Sequence, residues 1–176
     1  KYPELQQTET AKTFYEQQTV ALGSKIGNLE EFLKAIKKTG ESPRKIFVDV
    51  YTDWCGWCKV MDKNTFQNPL IAKVMNENFY CVKLNAEGRD EIKVQGRTYK
   101  FIANGNRGYH ELAAELLNGK MSYPTVVFLA ENLSILQALA GYHDAKAFEP
   151  IAHFFATDAF KSIKWEEFTQ KFKSSF

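Results

Sequence analysis

Short apolar runs alternate along the chain with stretches of helical spacing. Leu29, Phe32, Leu33 and Ile36 fall at i, i+3, i+4 and i+7 and predict a helix from Asn28 to about Gly40. Asn28 and Glu31 supply its N-cap and capping box, and Gly40 its stop. The turn-like Glu41-Ser42-Pro43 leads into an apolar run over 46–51, read as a strand buried on both faces and interrupted only by Asp49. A helix is predicted from about Cys55 to Asn64. A second opens at Asn68-Pro69, an N-cap followed by Pro at the first helical position, with Leu70, Ile71, Val74 and Met75 as its buried face. Residues 79–84 read as the next strand.

The middle of the chain is more polar. Residues 91–95 and 97–102, around Gly96, predict a hairpin, 104–108 a loop, and 109–117 a helix stopped by Asn118-Gly119. After Pro124, residues 125–129 form a buried strand that pairs with 134–140 across a turn at Glu131-Asn132, and Gly141 closes the pair. A helix follows from about Asp144 to Phe155, with a kink or split expected at Pro150. The tail carries a short helix with Trp165, Phe168 and Phe172 on one face. Residues 1–25 are Gln/Thr-rich with a thin apolar stripe and read as an accessory segment packed outside.

Composition narrows the class. At 176 residues the chain fits one domain with decorations, and 44% hydrophobic residues suffice for a core without covalent staples. A net charge of +2 with scattered basic residues gives no electrostatic case for nucleic acid. No apolar run reaches the ~18 residues of a membrane span. The chain opens on Lys1, not Met, and is read as a mature or trimmed form that has lost its leader.

Three cysteines are too few and too odd in number for a secreted disulfide scaffold. Cys55 and Cys58 stand at Cys-x-x-Cys spacing just after a buried strand and at a helix start. The helix N-terminus favours a thiolate, and the spacing lets the second sulfur reach the first within one turn. The same spacing also suits half of a zinc site. Zinc needs two more ligands, and His110, His143 and His153 are dispersed without a second paired motif. No metal and no cofactor beyond the cysteine pair is expected. Cys81, on a buried strand, reads as a small hydrophobe. Lys59 reads as a solvated helix residue.

The stretch Phe47-Val48-Asp49-Val50-Tyr51-Thr52-Asp53-Trp54-Cys55-Gly56-Trp57-Cys58-Lys59 resembles the active-site strand, turn and helix of thioredoxins. Lys83-Leu84-Asn85, Tyr123-Pro124-Thr125 and Gly141 are similar to three further landmarks of that family. With Thr65-Phe66 and Asn68-Pro69, the motif resembles bacterial envelope thioredoxin-like modules, including the periplasmic reductant domains of the Dsb system. The resemblance implies a thioredoxin-like α/β fold, a central mixed β-sheet flanked by helices, over about 26–156. Segments 1–25 and 157–176 are additions, and 86–120 is an insertion before the cis-Pro loop.

Residue roles follow from the same likeness. Cys55 would be the nucleophile and Cys58 the resolving thiol. Asp49, held in an apolar strand, would have a raised pKa and handle the Cys58 proton with Lys83 beside it, or the two would form a structural ion pair. A cis Pro124 would set the Tyr123 backbone, with Thr125 following, against an incoming peptide. Trp54, Gly56 and Trp57 would line the substrate side, with packing an equal alternative for Trp54.

Two departures leave function open. Gly56-Trp57 replaces the family's commonest Gly-Pro, which leaves redox direction unset. The insertion 86–120 either flanks the substrate groove or is a surface elaboration. The expectation is a monomeric protein disulfide reductant, reset by a separate redox partner and acting on protein disulfides or dithiols. An oxidant, an isomerase, or a thioredoxin-like binding module remain alternatives. The bacterial periplasm or envelope is the expected compartment, with the cytoplasm as alternative.

Overall fold

A computed structural model describes residues 43–176. The expected helix over 28–40 and the accessory segment 1–25 lie outside the described residues. Four strands form the central sheet: β1 (Lys45–Tyr51), β2 (Phe79–Asn85), β7 (Thr125–Leu129) and β8 (Ile135–Ala140). Their order is β2-β1-β7-β8, with β1 parallel to β2 and the other pairs antiparallel. The parallel β1–β2 pair needs a crossover. Helices α1 (Gly56–Met61) and α2 (Pro69–Asn78) supply it, joined by a π-helical turn over Asp62–Phe66. The first helix therefore runs past its expected end at Asn64.

The sheet separates two apolar layers because alternate residues of a strand face opposite sides. Phe47 packs with Met61, Phe66, Met75, Phe128 and Phe148 on the side of α1, α2 and α4 (Ala145–Ala156). Ile46, Val48 and Val50 point the other way, into a layer completed by Ile92, Tyr99, Leu112 and Leu116 of the insertion. The insertion is thus part of the core, which overturns its reading as a surface elaboration.

The insertion also holds more strand than its sequence suggests. Strands β3 (Ile92–Val94) and β4 (Arg97–Tyr99) form the expected hairpin, turned at Gln95-Gly96 with both φ positive, as a type I′ turn requires. The expected strand over 97–102 breaks at Lys100. Its N–H donates to the Glu111 carboxylate and its carbonyl accepts the Glu111 N–H, so neither is left for a ladder. A second hairpin follows, β5 (Phe101–Asn104) with β6 (Arg107–His110), where a loop was expected. The Gly and Asn residues that suggested a loop form a two-residue turn with Gly105 at positive φ. Helix α3 (Glu111–Leu116) begins two residues later than predicted. Asn118 and Gly119, both at positive φ, stop it.

Helix α4 runs through Pro150 as one helix, so of the expected kink or split the split does not occur. Its N-cap Asp144 accepts the Ala147 N–H at 2.8 Å. The tail forms a short helix, α5 (Trp165–Lys171). Trp165 and Phe168 meet Phe154, and Phe172 meets the His153 ring, so the aromatic face docks on α4. The Ser174 hydroxyl and Ser175 N–H then donate to the buried Glu149 carboxylate.

Candidate active site

The chain leaves β1 through Thr52-Asp53-Trp54, and the Cys55 N–H donates to the Thr52 carbonyl at 3.1 Å to close that turn. Cys55 occupies the N-cap of α1 with extended backbone. Its Sγ accepts the Cys58 N–H at 3.1 Å, in the place a Ser or Asp oxygen takes at an ordinary helix start. Cys55 and Cys58 are joined as a disulfide. The pair is mostly covered, 4% and 6% exposed, while the neighbouring Trp54 and Trp57 are 64% and 63% exposed. Indole surface therefore dominates what a partner meets around the sulfurs.

Strand register places a charge behind the pair. Asp49 and Lys83 are direct partners across the parallel β1–β2 ladder. Asp49 is 2% exposed, and Lys83 Nζ stands 3.4 Å from its carboxylate and 3.2 Å from that of Asp62. Burial drives the Asp49 pKa up to about 6, Lys83 pulls against that, and Asp62 adds to it. Burial opposes the charge on Lys83, but Asp49 and Asp62 outweigh it and hold its pKa above the ordinary lysine value. Cys58, Lys59, Asp62 and Lys83 line one cleft of about 280 Å³, so Cys58 and this ion group share access to solvent.

Aromatic pairs stand on both sides. The Tyr123–Pro124 peptide bond is cis. The Gly141 N–H donates to the Pro124 carbonyl at 2.8 Å and the Thr125 hydroxyl to the Ser122 carbonyl at 2.7 Å, which fixes the loop from both ends. The Tyr123 ring meets Trp54 edge-on at 5.9 Å between centroids. Across the pair, Trp57 packs on Tyr142 at 5.2 Å. A Cβ on Gly56 would meet nothing within 4 Å, so that position opens to solvent between the two indoles.

Several residues here have no role in the sequence reading. Glu87 accepts the Trp54 indole N–H at 3.1 Å, and Asn85 donates to Asp53 at 3.2 Å, so the chain after β2 pins the active-site turn. Nothing local marks Glu87, because its position depends on the chain reversing after β2. Asp62 had a signal: it lies four residues after Cys58, on the same helical face. The three histidines do not converge. His110, 1% exposed, caps α3, its Nδ1 accepting the Leu112 N–H while Nε2 donates to the Asp90 carbonyl. His143 offers its carbonyl to the Thr65 hydroxyl at 2.6 Å, tying the π-helical turn to the loop after β8. Cys81 is free and buried. Among the described residues no group of three or more His, Cys, Asp or Glu converges to hold a metal ion. No described helix is long and apolar enough to cross a membrane.

A cysteine pair that opens a helix at the end of an inner strand, in a mixed sheet flanked by helices, defines the thioredoxin-like disulfide oxidoreductase fold. More narrowly, the chain belongs to the Thioredox_DsbH family, described as a protein of unknown function, DUF255, whose model matches residues 28–173. Mouse spermatogenesis-associated protein 20 is 36% identical over 76 residues, 43% of this chain and 10% of the mouse protein. The thiol:disulfide interchange protein DsbD of Vibrio vulnificus is 29% identical over 72 residues, 41% of this chain and 11% of that protein. The chain thus spans about a tenth of these curated relatives. A thioredoxin-fold protein from Helicobacter pylori superposes with a TM-score of 0.54 at 19% identity, over 74% of this chain and 82% of that one.

Proposed function

We propose that the chain reduces protein disulfides through Cys55 and Cys58 and is re-reduced by a separate dithiol protein. The observation that carries this reading is the Cys55–Cys58 disulfide at the start of α1, with Asp49 buried behind it. In the reduced state the Cys55 thiolate attacks one sulfur of a substrate disulfide. That bond breaks, the other substrate sulfur leaves as a thiolate, and a mixed disulfide remains. Asp49 takes the Cys58 proton, and the Cys58 thiolate then attacks Cys55. The second substrate sulfur departs, the substrate has gained two electrons, and the pair is again a disulfide. Lys83 holds the Asp49 carboxylate in its ionised, proton-accepting form.

Charge supports the reducing direction. Asp53 and Asp62 line the cleft at Cys58 against Lys59 and Lys83, and Asp49 lies behind Lys83. Three carboxylates against two ammonium groups disfavour a thiolate, and a pair whose reduced form is poorly stabilised is a better reductant. The exposed Trp54 and Trp57 suit a protein substrate, since indoles bury large area at little entropic cost. The proposed site of action is the bacterial envelope, supported by the resemblance to envelope thioredoxin-like modules.

Insulin reduction tests the chemistry, and the pair's potential tests the direction. Cys55→Ser should abolish turnover, and Cys58→Ser should accumulate mixed disulfides because the resolving thiol is gone. Full activity in Cys55→Ser sinks the mechanism. A potential near the about −120 mV of strong oxidants sinks the reductant reading.

A further inference from the structure

A cleft of about 360 Å³ opens beside Trp54, the residue next to the nucleophile. Asp53, Trp54 and Glu87 line it together with Arg89, Phe101 and Arg107. The two acids are already engaged, Asp53 by the Asn85 amide and Glu87 by the Trp54 indole. The arginines have no such polar partner among the described residues, and neither guanidinium has a carboxylate within 4.0 Å. The Arg89 guanidinium lies over the Phe101 ring at 4.9 Å. That ring is itself held against Gly108, where a Cβ would collide with it. The cleft's unused hydrogen-bonding capacity is therefore mostly donor, from two planar forks suited to a carboxylate.

We propose that this cleft is a subsite for an acidic side chain of the disulfide substrate, a Glu or Asp within two residues of the attacked cysteine. The inference rests on the reading that Cys55 attacks protein disulfides. Trp54 is next to Cys55 in the chain and lines the cleft, and an extended chain advances about 3.3 Å per residue, so the positions one or two from the attacked cysteine are the ones that meet it. The Phe101 ring beneath the Arg89 guanidinium restricts it, so less freedom is lost when it takes a carboxylate. Asp53 and Glu87 repel an acid, so the two guanidinium groups are the seats left for it. Arg89 and Arg107 are specificity determinants, acting through rim charge on encounter rate and substrate choice.

Three peptides test this, each with one intramolecular disulfide and differing only at the residues flanking the attacked cysteine: Glu, Gln or Lys. The reduced chain is mixed with each, and oxidation of the Cys55–Cys58 pair is followed by tryptophan emission. Two electrons and two protons pass to the peptide disulfide in every case. The Glu peptide should react about tenfold faster than the Lys peptide at low salt, and the gap should shrink near ~0.5 M salt. In the Arg89→Gln/Arg107→Gln variant the Glu-to-Lys rate ratio should approach one, and in Arg89→Glu/Arg107→Glu it should invert. Equal rates for the Glu and Lys peptides with the wild-type chain overturn the subsite. So does a ratio unmoved by the double Arg→Glu change. Either result leaves electron exchange standing, because every peptide still reacts. If no peptide reacts, and neutral hydroxyethyl disulfide also leaves the wild-type pair reduced, the proposed function falls and the subsite with it.

Discussion

Asp49 ionises against its surroundings. Its pKa rises from 3.8 to about 6 because the strand buries it, and Lys83 offsets only part of that cost. Between those two values the folded chain keeps a proton that the unfolded chain has released. The contribution of Asp49 to stability therefore falls as pH climbs from about 4 to about 6 and does not recover above. Two units correspond to about 3 kcal/mol. Asp49→Asn should raise stability at pH 7 by about that amount, with the gain vanishing toward pH 4, as urea unfolding at several pH values would show. The same change should slow resolution of the mixed disulfide, since Cys58 loses its proton acceptor. Cys81 is the opposite case: burial pushes its thiol up to about 12 and leaves no attacking thiolate. Iodoacetamide should label Cys55 of the reduced native chain and reach Cys81 only after denaturation. Labelling of Cys81 in the folded chain would count against its burial. At this scale Asp49 was conspicuous in the sequence as an acid in an apolar strand, whereas Lys83 came only with the resemblance to thioredoxins. The sequence hid His110, whose cap depends on a carbonyl at Asp90, twenty residues away.

Elements with regular spacing were legible, and elements built from turns were not. Asn68-Pro69 marked α2 correctly because Asn68 Oδ1 accepts the Leu70 N–H at 3.0 Å and Pro69 lacks an N–H that would go unpaired. The second hairpin of the insertion was missed because β5 and β6 are short, β5 is largely exposed, and the two turn through Gly105 and Asn106. Such a hairpin has no apolar alternation to announce it. Its partner α3 tests whether the insertion belongs to the core. Leu112 is 7% exposed and faces the sheet layer of Val48 and Val82. Leu112→Ala should cost about 2–4 kcal/mol by denaturant unfolding, as core truncations do. A loss under about 0.5 kcal/mol, the range of surface changes, would return the insertion to the periphery.

Across the molecule, the order of β1, α1, α2, β2, β7, β8 and α4 was readable because each buries a periodic face against the next. The sheet's two layers were not readable. Phe47 and Val48 are equally apolar in sequence, yet one meets the helices and the other the insertion. Only the pairing of β1 between β2 and β7 settles which face is which. The two layers also bind chemistry to architecture. Residues 86–120 contribute Ile92, Tyr99, Leu112 and Leu116 to the core, and Arg89 and Arg107 to the cleft beside Trp54. Excising them from this chain would strip one face of the sheet, and grafting them onto a thioredoxin whose sheet is already covered would leave their apolar side without a seat. On the proposed role of the cleft, substrate choice and fold are inherited together, and the segment can diversify only at positions, such as the tip around Gly105, that the core does not hold.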